Sequence, residues 1–116
     1  MNYSKGDIVV VKFPFLIGGK QMQKGRPALI ISNPVIKRRY DDYALAAITS
    51  QIPSNTMELE IRLIPDKSNG LLKESLLRLD FIMTIPAELI SRKIGSLSQK
   101  IMDDIDKKLK LFFKLG

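Results

Sequence analysis

The chain has 116 residues, a formal net charge of +7, and neither histidine nor cysteine. Without cysteine it has no disulfide, thiol nucleophile or thiolate metal site, and without histidine it has no Ser–His relay and no imidazole metal ligand. Any catalysis must therefore use Asp, Glu, Arg, Lys, Tyr, Ser or Thr. The length suits one domain over residues 1–116, and the positive charge favours polyanions such as nucleic acid, although many basic domains bind none.

The first predicted strand is Asp7–Phe13, which is rich in β-branched residues and stops at Pro14. The segment Leu16–Gly25 follows, with Gly18-Gly19 marking the tip of a loop. Because it contains two adjacent glycines and several polar residues, this segment is predicted to be a flexible connection.

Two further strands are predicted on either side of a basic loop. Arg26–Ser32 contains the continuous apolar run of a strand that is buried on both faces. Pro27 has no N–H, so it should lie at the start of this strand or on an edge. After the loop Val35–Asp42, the small residues of Tyr43–Thr49 predict a short central strand.

The middle of the chain adds shorter elements. Met57–Leu63 alternates apolar and charged residues, which is typical of a half-buried strand. Asp66–Gly70 is predicted to be a turn, and Ser75–Leu79 and Phe81–Ile85 are predicted to be strand segments. Pro86–Ile90 suits one helical turn, because proline is favoured near a helix start.

The last segment, Ser98–Leu115, changes to helical periodicity, with Ser98 suited to the N-cap. Apolar residues recur there at spacings of three and four: Ile101, Met102, Ile105, Leu109, Phe112 and Phe113. Short strands followed by one terminal helix predict an α+β domain that is mainly β, a small barrel capped by a helix. The polar start Met1–Asp7 is no secretory signal, and no apolar run approaches the roughly 20 residues of a membrane helix, which predicts a cytoplasmic protein.

Two short motifs at strand ends are candidates for binding phosphate. In Lys24-Gly25-Arg26-Pro27, the glycine allows a sharp bend, and an arginine held on a strand can direct two donors at a phosphate. In Thr49-Ser50-Gln51, three polar side chains at a strand exit can donate to phosphate or read base edges. Each motif also has a plain structural explanation, as a solvated charge at a strand start and as a strand that ends in a turn.

Arg78 and Asp80 are two residues apart in a predicted strand, so their side chains point to the same face. Their spacing alone favours a salt bridge. The pair can also serve phosphoryl transfer without histidine, because the carboxylate can take a 2′-hydroxyl proton while the guanidinium stabilises the developing charge. The basic loop contains Lys37, Arg38, Arg39 and Tyr40. These side chains suit single-stranded RNA through phosphate contact and base stacking, or the loop is simply solvated.

Several of these segments occur in the order found in one protein family. Gly6-Asp7-Ile8-Val9 is followed by KGRPALIISN at residues 24–33 and by AAITSQ at residues 46–51. With Ser75–Ile85 and Lys93–Leu97, nearly the whole chain resembles the MazF/PemK family of toxin endoribonucleases. The resemblance implies a small SH3-like barrel of the MazF/PemK/CcdB type with a C-terminal helix. It also implies a homodimer that cleaves single-stranded RNA without a metal or other cofactor.

The resemblance also implies roles for single residues. Arg26 matches the catalytic arginine of the G-R-P motif, Thr49 matches the threonine paired with it, and Ser50 continues that motif. Arg78 and Asp80 match an Arg-x-Asp pair that the PemK branch uses as acid and base. An antitoxin with a disordered, partly acidic segment is implied as the inhibitory partner. The predicted RNA-binding set is Lys24, Lys37, Arg38, Arg39, Tyr40, Ser50 and Gln51.

The predicted reaction is attack of the RNA 2′-hydroxyl on the adjacent phosphate, which yields a 2′,3′-cyclic phosphate and a 5′-hydroxyl. Arg26 stabilises the phosphorane and Asp80 is the base, while Arg78 acts as an electrophile because an arginine pKa lies above about 12. Two other functions stay open, a non-catalytic RNA- or protein-binding module and a gyrase poison of related fold. Departures from the family pattern bear on RNA specificity or rate: Met83 in place of an arginine, and Gln21, Gln23 and Lys24 in place of an acidic residue.

Overall fold

The computed structural model describes residues 2–17 and 20–116, and for residues 13–17 and 20–24 it describes the backbone alone. Within these ranges the chain forms six strands, one 3₁₀ turn and one α-helix. In chain order they are β1 (Asp7–Ile17), β2 (Lys20–Ile30), β3 (Asp42–Thr49), β4 (Glu60–Leu63), β5 (Ser75–Pro86), the 3₁₀ turn (Ala87–Leu89), β6 (Ile90–Ser96) and α1 (Gln99–Phe113).

The described strands form one antiparallel sheet in the order β4-β5-β3-β2-β1-β6. Register shifts interrupt the pairing of β1 with β6 and of β3 with β5, and such bulges bend and twist the strands that carry them. Among the described residues β4 and β6 lie at the two edges, so the sheet is open and fits a barrel only loosely. The predicted fold class, mainly β with a C-terminal helix, is confirmed.

Each face of the sheet packs against its own apolar core. On one face, Met102 and Ile105 of α1 pack with buried side chains of the central strands such as Leu29. The opposite face buries a second cluster that includes Ile30 and Leu45. Adjacent residues of β2 are therefore buried on opposite faces, which confirms the expectation from its continuous apolar run.

The junction before β1 explains the Gly6-Asp7 motif as a structural element. Gly6 has φ +97°, a backbone conformation that favours glycine, and its N–H and C=O bond to Ile30 and Leu97 respectively. The buried Asp7 carboxylate accepts the Ser4 N–H at 2.8 Å and pairs with Lys93 at 3.1 Å. The motif thus fixes the chain end against β2 and the segment after β6.

Helix α1 begins as predicted, because the Ser98 side chain accepts the Ile101 N–H at 3.3 Å. It ends at Lys114, which adopts the left-handed conformation. The first half of its apolar stripe packs on the core, whereas Phe112 and Phe113 remain substantially exposed. No helix in residues 2–17 and 20–116 combines the length and apolarity needed to cross a membrane.

The predicted flexible connection Leu16–Gly25 is wrong where the chain is described. β1 and β2 continue as a paired hairpin whose register runs from Ile8–Leu29 out to Ile17–Lys20, while Gly18-Gly19 lie outside the described residues. The predicted stop at Pro14 is wrong for a related reason. Beyond Val11, β1 no longer pairs with β6, so a proline without an N–H breaks no ladder on that side.

Two predicted strand boundaries also change. Met57–Leu63 shortens to β4, because the Glu60 side chain and backbone bond to Met57 in a turn just before the strand. The predicted segments Ser75–Leu79 and Phe81–Ile85 form one strand, β5, which is interrupted by a bulge. The predicted turn at 66–70 and the helical turn after Pro86 are confirmed.

Candidate active site

A gap opens in the sheet where β2 and β3 separate. β2 pairs with β1 from Leu29 outward to Lys20, but it pairs with β3 only over Ala28–Ile30. β3 ends at Thr49, while β2 continues outward through Arg26. We call the gap between Arg26 and Thr49 the notch. Among the described residues no strand pairs with β2 beside Arg26 on this side, so the strand edge there is unpaired.

Strand register aligns three of the four predicted catalytic residues at the notch. Ala28 of β2 pairs with Ala47 of β3 in antiparallel register. Arg26 is two residues before Ala28 and Thr49 is two residues after Ala47, so this register puts Arg26 level with Thr49. Ala47 also pairs with Arg78 of β5. Paired residues point to the same face, and so do residues two apart on one strand. Arg26, Thr49 and Arg78 therefore share one face of the sheet.

The residues that flank Arg26 have roles other than the predicted bend. Gly25 lies within extended β2 rather than in a turn, and a Cβ built there would lie 2.9 Å from the Val10 side chain. The position thus needs glycine for close packing against β1. Pro27 lies one residue before the pairing with β3 begins, which confirms its predicted edge position.

A turn holds the Thr49 hydroxyl at the end of β3. Its oxygen accepts the Gln51 N–H at 3.1 Å, and this bond uses a lone pair, so the hydroxyl hydrogen can still be donated to a ligand. Ser50 and Gln51 are exposed beyond it. The T-S-Q motif therefore ends the strand, as its plain structural explanation requires, and also points a donor at the notch.

Arg78 and Asp80 form an ion pair with two hydrogen bonds. The Arg78 Nε and Nη2 atoms lie 3.2 and 3.1 Å from the two carboxylate oxygens, and the guanidinium lies 5.3 Å from the centroid of the Phe81 ring. The bulge in β5 creates this arrangement, because Ala46 pairs with Ile82 while the next residue pairs with Arg78. Both partners are more than a third exposed, so solvent and ligands reach them.

The ion pair shifts both pKa values in the direction that favours charge. Hydrogen bonds from Arg78 lower the pKa of Asp80, and those to Asp80 raise the pKa of Arg78. A lowered pKa makes Asp80 a weaker base, and a raised pKa makes Arg78 a still poorer proton donor. In the free protein the geometry is that of a salt bridge which holds a charged guanidinium in place.

A groove of about 550 Å³ extends from the notch along the opposite face of the sheet. Arg26 and Ser50 line its notch end, and Lys73 and Arg92 add two cations further along. Neither Lys73 nor Arg92 was predicted from the sequence. Arg92 reaches the groove because it pairs with Val10 across β1 and β6, and a non-local pairing leaves no local sequence signal.

The predicted RNA-binding loop lies at the other end of β3. The eight residues of β3, Asp42–Thr49, span about 23 Å of extended strand, so the structure does not bring the loop to the notch. Arg38 pairs with Asp42 at 2.7 Å, and the loop borders a separate cavity of about 500 Å³. The Lys24 side chain falls outside the described ones. Roles in RNA binding stay predictions for Lys24, Lys37, Arg38, Arg39 and Tyr40.

Comparison with known proteins gives matches along nearly the whole chain. The family model described as PemK-like, MazF-like toxin of type II toxin-antitoxin system matches residues 4–113. Endoribonuclease EndoA of Bacillus subtilis is 29% identical over 115 residues, which cover 99% of this chain and 97% of the relative.

Solved structures of low sequence identity share the fold. The Mycobacterium tuberculosis toxin MazF-mt6 is 24% identical with a TM-score of 0.73, and the match covers 95% of this chain and 98% of that one. A chain of the MazE-MazF structure from Deinococcus radiodurans is 15% identical with a TM-score of 0.79, and the match covers 98% of this chain and 97% of that one. The same open sheet and terminal helix are thus compatible with very different sequences.

Proposed function

The chain belongs to the family of PemK-like, MazF-like toxins of type II toxin–antitoxin systems, and on that premise we propose that it is a toxin that cleaves single-stranded RNA. The observation that carries the proposal is the shared face of Arg26, Thr49 and Arg78 at the notch. Two guanidinium groups and a hydroxyl on one face can hold a phosphodiester and stabilise charge that develops on it. The relative from Bacillus subtilis is itself named an endoribonuclease.

The proposed reaction is an internal transfer within the RNA. The 2′-oxygen forms a bond to the adjacent phosphorus, and the bond from phosphorus to the 5′-oxygen breaks. The products are a 2′,3′-cyclic phosphate and a 5′-hydroxyl, so no atom of the enzyme enters the product. Arg26 forks two donors onto the non-bridging oxygens, and Thr49 donates its hydroxyl to position them.

Arg78 and Asp80 act together on the same phosphate. Arg78 contributes positive charge to the transition state, and Asp80 accepts the proton that leaves the 2′-hydroxyl. When the phosphate takes over hydrogen bonds from Arg78, the interaction that lowers the pKa of Asp80 weakens, and the carboxylate becomes a stronger base. Water supplies the proton for the departing 5′-oxygen, because a guanidinium of raised pKa does not release one.

The proposed partners follow from charge and exposed apolar surface. A chain of net charge +7 suits an antitoxin with an acidic disordered segment that competes with RNA. A homodimer would cover the exposed apolar residues at the end of α1, namely Leu111, Phe112, Phe113 and Leu115. A light-scattering mass near 13.1 kDa at micromolar concentration would contradict the dimer. An RNA substrate places the protein in the cytoplasm.

The test is cleavage of a labelled single-stranded RNA by purified protein, with sequencing of the new 5′ ends. We expect discrete cuts, 5′-hydroxyl ends and a cyclic phosphate on the other fragment. No cluster of three or more acidic side chains that could hold a metal ion occurs among the described residues. Metal independence stays a prediction, which full activity in EDTA supports and a requirement for added Mg²⁺ contradicts.

Two other results would each assign a different function. A gel shift without cleavage indicates a binding module, and inhibition of gyrase supercoiling with intact RNA indicates a gyrase poison. The control is Lys107→Ala, since Lys107 is exposed on α1 and lies outside the lining of the notch and groove. Cleavage that persists at full rate in Arg26→Ala would come from a contaminating nuclease or from a mechanism other than the proposed one.

A further inference from the structure

The groove beside the notch has a one-sided charge. Of the residues that the structure describes, three cationic ones line it, Arg26, Lys73 and Arg92, and no acidic one does. Neither Lys73 nor Arg92 forms an ion pair within the part of the chain that the structure describes, and neighbouring Glu74 pairs with Arg62 instead. Lys73 and Arg92 therefore give the lining a positive charge that no described carboxylate neutralises, which attracts an anionic ligand.

Apart from two serines and two glycines, the rest of the described lining is apolar. Val10, Pro27 and Ile48 form part of it, and Leu71 and Ile94 continue it toward β6. Leu72 also lines the groove, yet 96% of it is exposed. A leucine so exposed at the rim, beside two cations, suits an apolar contact with a ligand rather than core packing.

The turn at residues 66–70, which precedes Leu72 and Lys73, is held by hydrogen bonds and close packing. Buried Asn69 accepts the N–H groups of Asp66 and Leu71 and donates to the Ile64 carbonyl. The turn lies against β6 so closely that a Cβ on Gly70 would be 2.0 Å from the Ile94 oxygen. Gly70 also has φ +69°, which favours glycine. The groove wall is thus preorganised, which lowers the cost of binding a ligand.

We infer that this groove binds the RNA nucleotides next to the scissile phosphate, with Lys73 and Arg92 contacting their phosphates and Leu72 contacting a base. The inference rests on the proposed function, because it starts from a phosphate held by Arg26. The groove begins at Arg26 on the face opposite Thr49 and Arg78, so an RNA strand that passes through the notch from their face enters the groove. Its volume of about 550 Å³ is in the range of small-molecule sites, so nucleotide-sized groups fit.

RNA is favoured over an acidic peptide by the placement of the charges. Lys73 lies just before β5 and Arg92 lies on β6, and apolar side chains share the lining with them. This combination of cations and apolar surface suits a single strand, in which phosphates flank each base. It also continues directly into the phosphate site at Arg26.

The experiment compares two substrates and two double variants. One substrate is a dinucleotide that contains the mapped cleavage bond alone, and the other is a longer RNA that spans the same bond. Lys73→Ala/Arg92→Ala should raise KM about tenfold for the longer RNA, with kcat within about twofold, and should leave the dinucleotide unaffected. The control Lys100→Ala/Lys107→Ala removes the same charge from α1 and should change neither.

A binding measurement that needs no cleavage completes the design. The probe is a fully 2′-O-methylated RNA, titrated at several salt concentrations. The groove variant should reduce the slope of log affinity against log salt by about 1.4, since each lost phosphate contact on a single strand is worth about 0.7. Leu72→Ala should weaken binding about threefold without altering the slope, because it removes an apolar contact and no charge.

Each outcome has a separate meaning. An active wild-type protein whose KM and salt slope do not change in the groove variant overturns this inference and leaves the proposed function in place. Loss of binding to an alternating Glu-Leu peptide, with RNA cleavage intact, overturns it in favour of a peptide site. If the wild-type protein cuts no RNA, the proposed function fails, and the salt slope with 2′-O-methylated RNA still tests the groove.

Discussion

Arginine and lysine side chains lie near both ends of β3, but they are held in place at one end and are on a loop at the other. At the Thr49 end, Arg26 is on β2, which pairs with β1, and Arg78 is on β5, which pairs with β3. Asp80 holds the Arg78 guanidinium by accepting two hydrogen bonds from it. At the Asp42 end, the basic side chains are on an exposed loop without regular structure. Catalysis requires charge at a fixed position, whereas binding requires only charge nearby. We therefore expect changes at the notch to alter kcat and changes in the loop to alter KM.

Arg26→Ala should have the largest effect. It removes two donors from the phosphate, and we expect kcat to fall at least about 1,000-fold with single-turnover cleavage as the measurement. Arg26→Lys keeps the positive charge but cannot donate two parallel hydrogen bonds to the phosphate, so it should recover only a small part of the lost rate. The thermal midpoint should stay within about 2 °C of wild type for the lysine variant, which separates loss of function from loss of fold.

Arg78→Ala and Asp80→Asn should have the next largest effects, each lowering kcat about 100-fold. Because the two side chains act on each other, the double variant should be little worse than either single variant. Additive losses, measured by the same single-turnover assay, would contradict a joint role. Effects below about threefold would reduce the pair to the salt bridge that its spacing alone favours.

The pH dependence sharpens the same comparison. Hydrogen bonds from Arg78 lower the pKa of Asp80, so the ionised form that it needs as a base persists to lower pH than in an ordinary aspartate and is lost only as the pH falls through that lowered pKa. The raised pKa of Arg78 keeps it charged at all practical pH values. We expect kcat/KM to be flat from about pH 5 to 9 and to drop about tenfold per pH unit below the Asp80 pKa.

Asp80→Asn is the control for this profile, because it should remove the acidic limb while lowering the plateau. Circular dichroism at each pH must show a folded protein, since acid unfolding would imitate the limb. An inflection between pH 6 and 7 would point to a titrating group outside this mechanism, because the sequence contains no histidine.

Elements with a strong local pattern could be predicted from the sequence. The 3.6-residue period and Ser98 cap of α1 and the small residues of β3 led to bounds within about two residues of those observed. The outer half of the β1–β2 hairpin could not be predicted, because Pro14, the two glycines and the polar start of β2 are local signals for a break and a loop, whereas the pairing of the two strands is not visible in a local pattern. β4 was overextended because the alternation continues through the turn at Met57.

In the candidate site, too, the local motifs could be predicted from the sequence, whereas their arrangement in space could not. The motifs around Arg26 and Thr49 were visible in the sequence, and so was the Arg78–Asp80 spacing. Their alignment depends on the register of β2, β3 and β5, which no local pattern encodes. Lys73 and Arg92 were invisible for the same reason, since only the folded sheet brings them beside Arg26.

Lys37→Ala/Arg39→Ala should have the smallest effect. We expect KM to rise about threefold and kcat to stay unchanged, because the loop lies about 23 Å along β3 from the notch. Arg38 is left in place, since its ion pair with Asp42 supports the start of β3. Lys100→Ala/Lys107→Ala is again the charge-matched control. A tenfold fall in kcat would contradict the distinction between the two ends, and in a homodimer it would mean that the loop of one copy reaches the notch of the other.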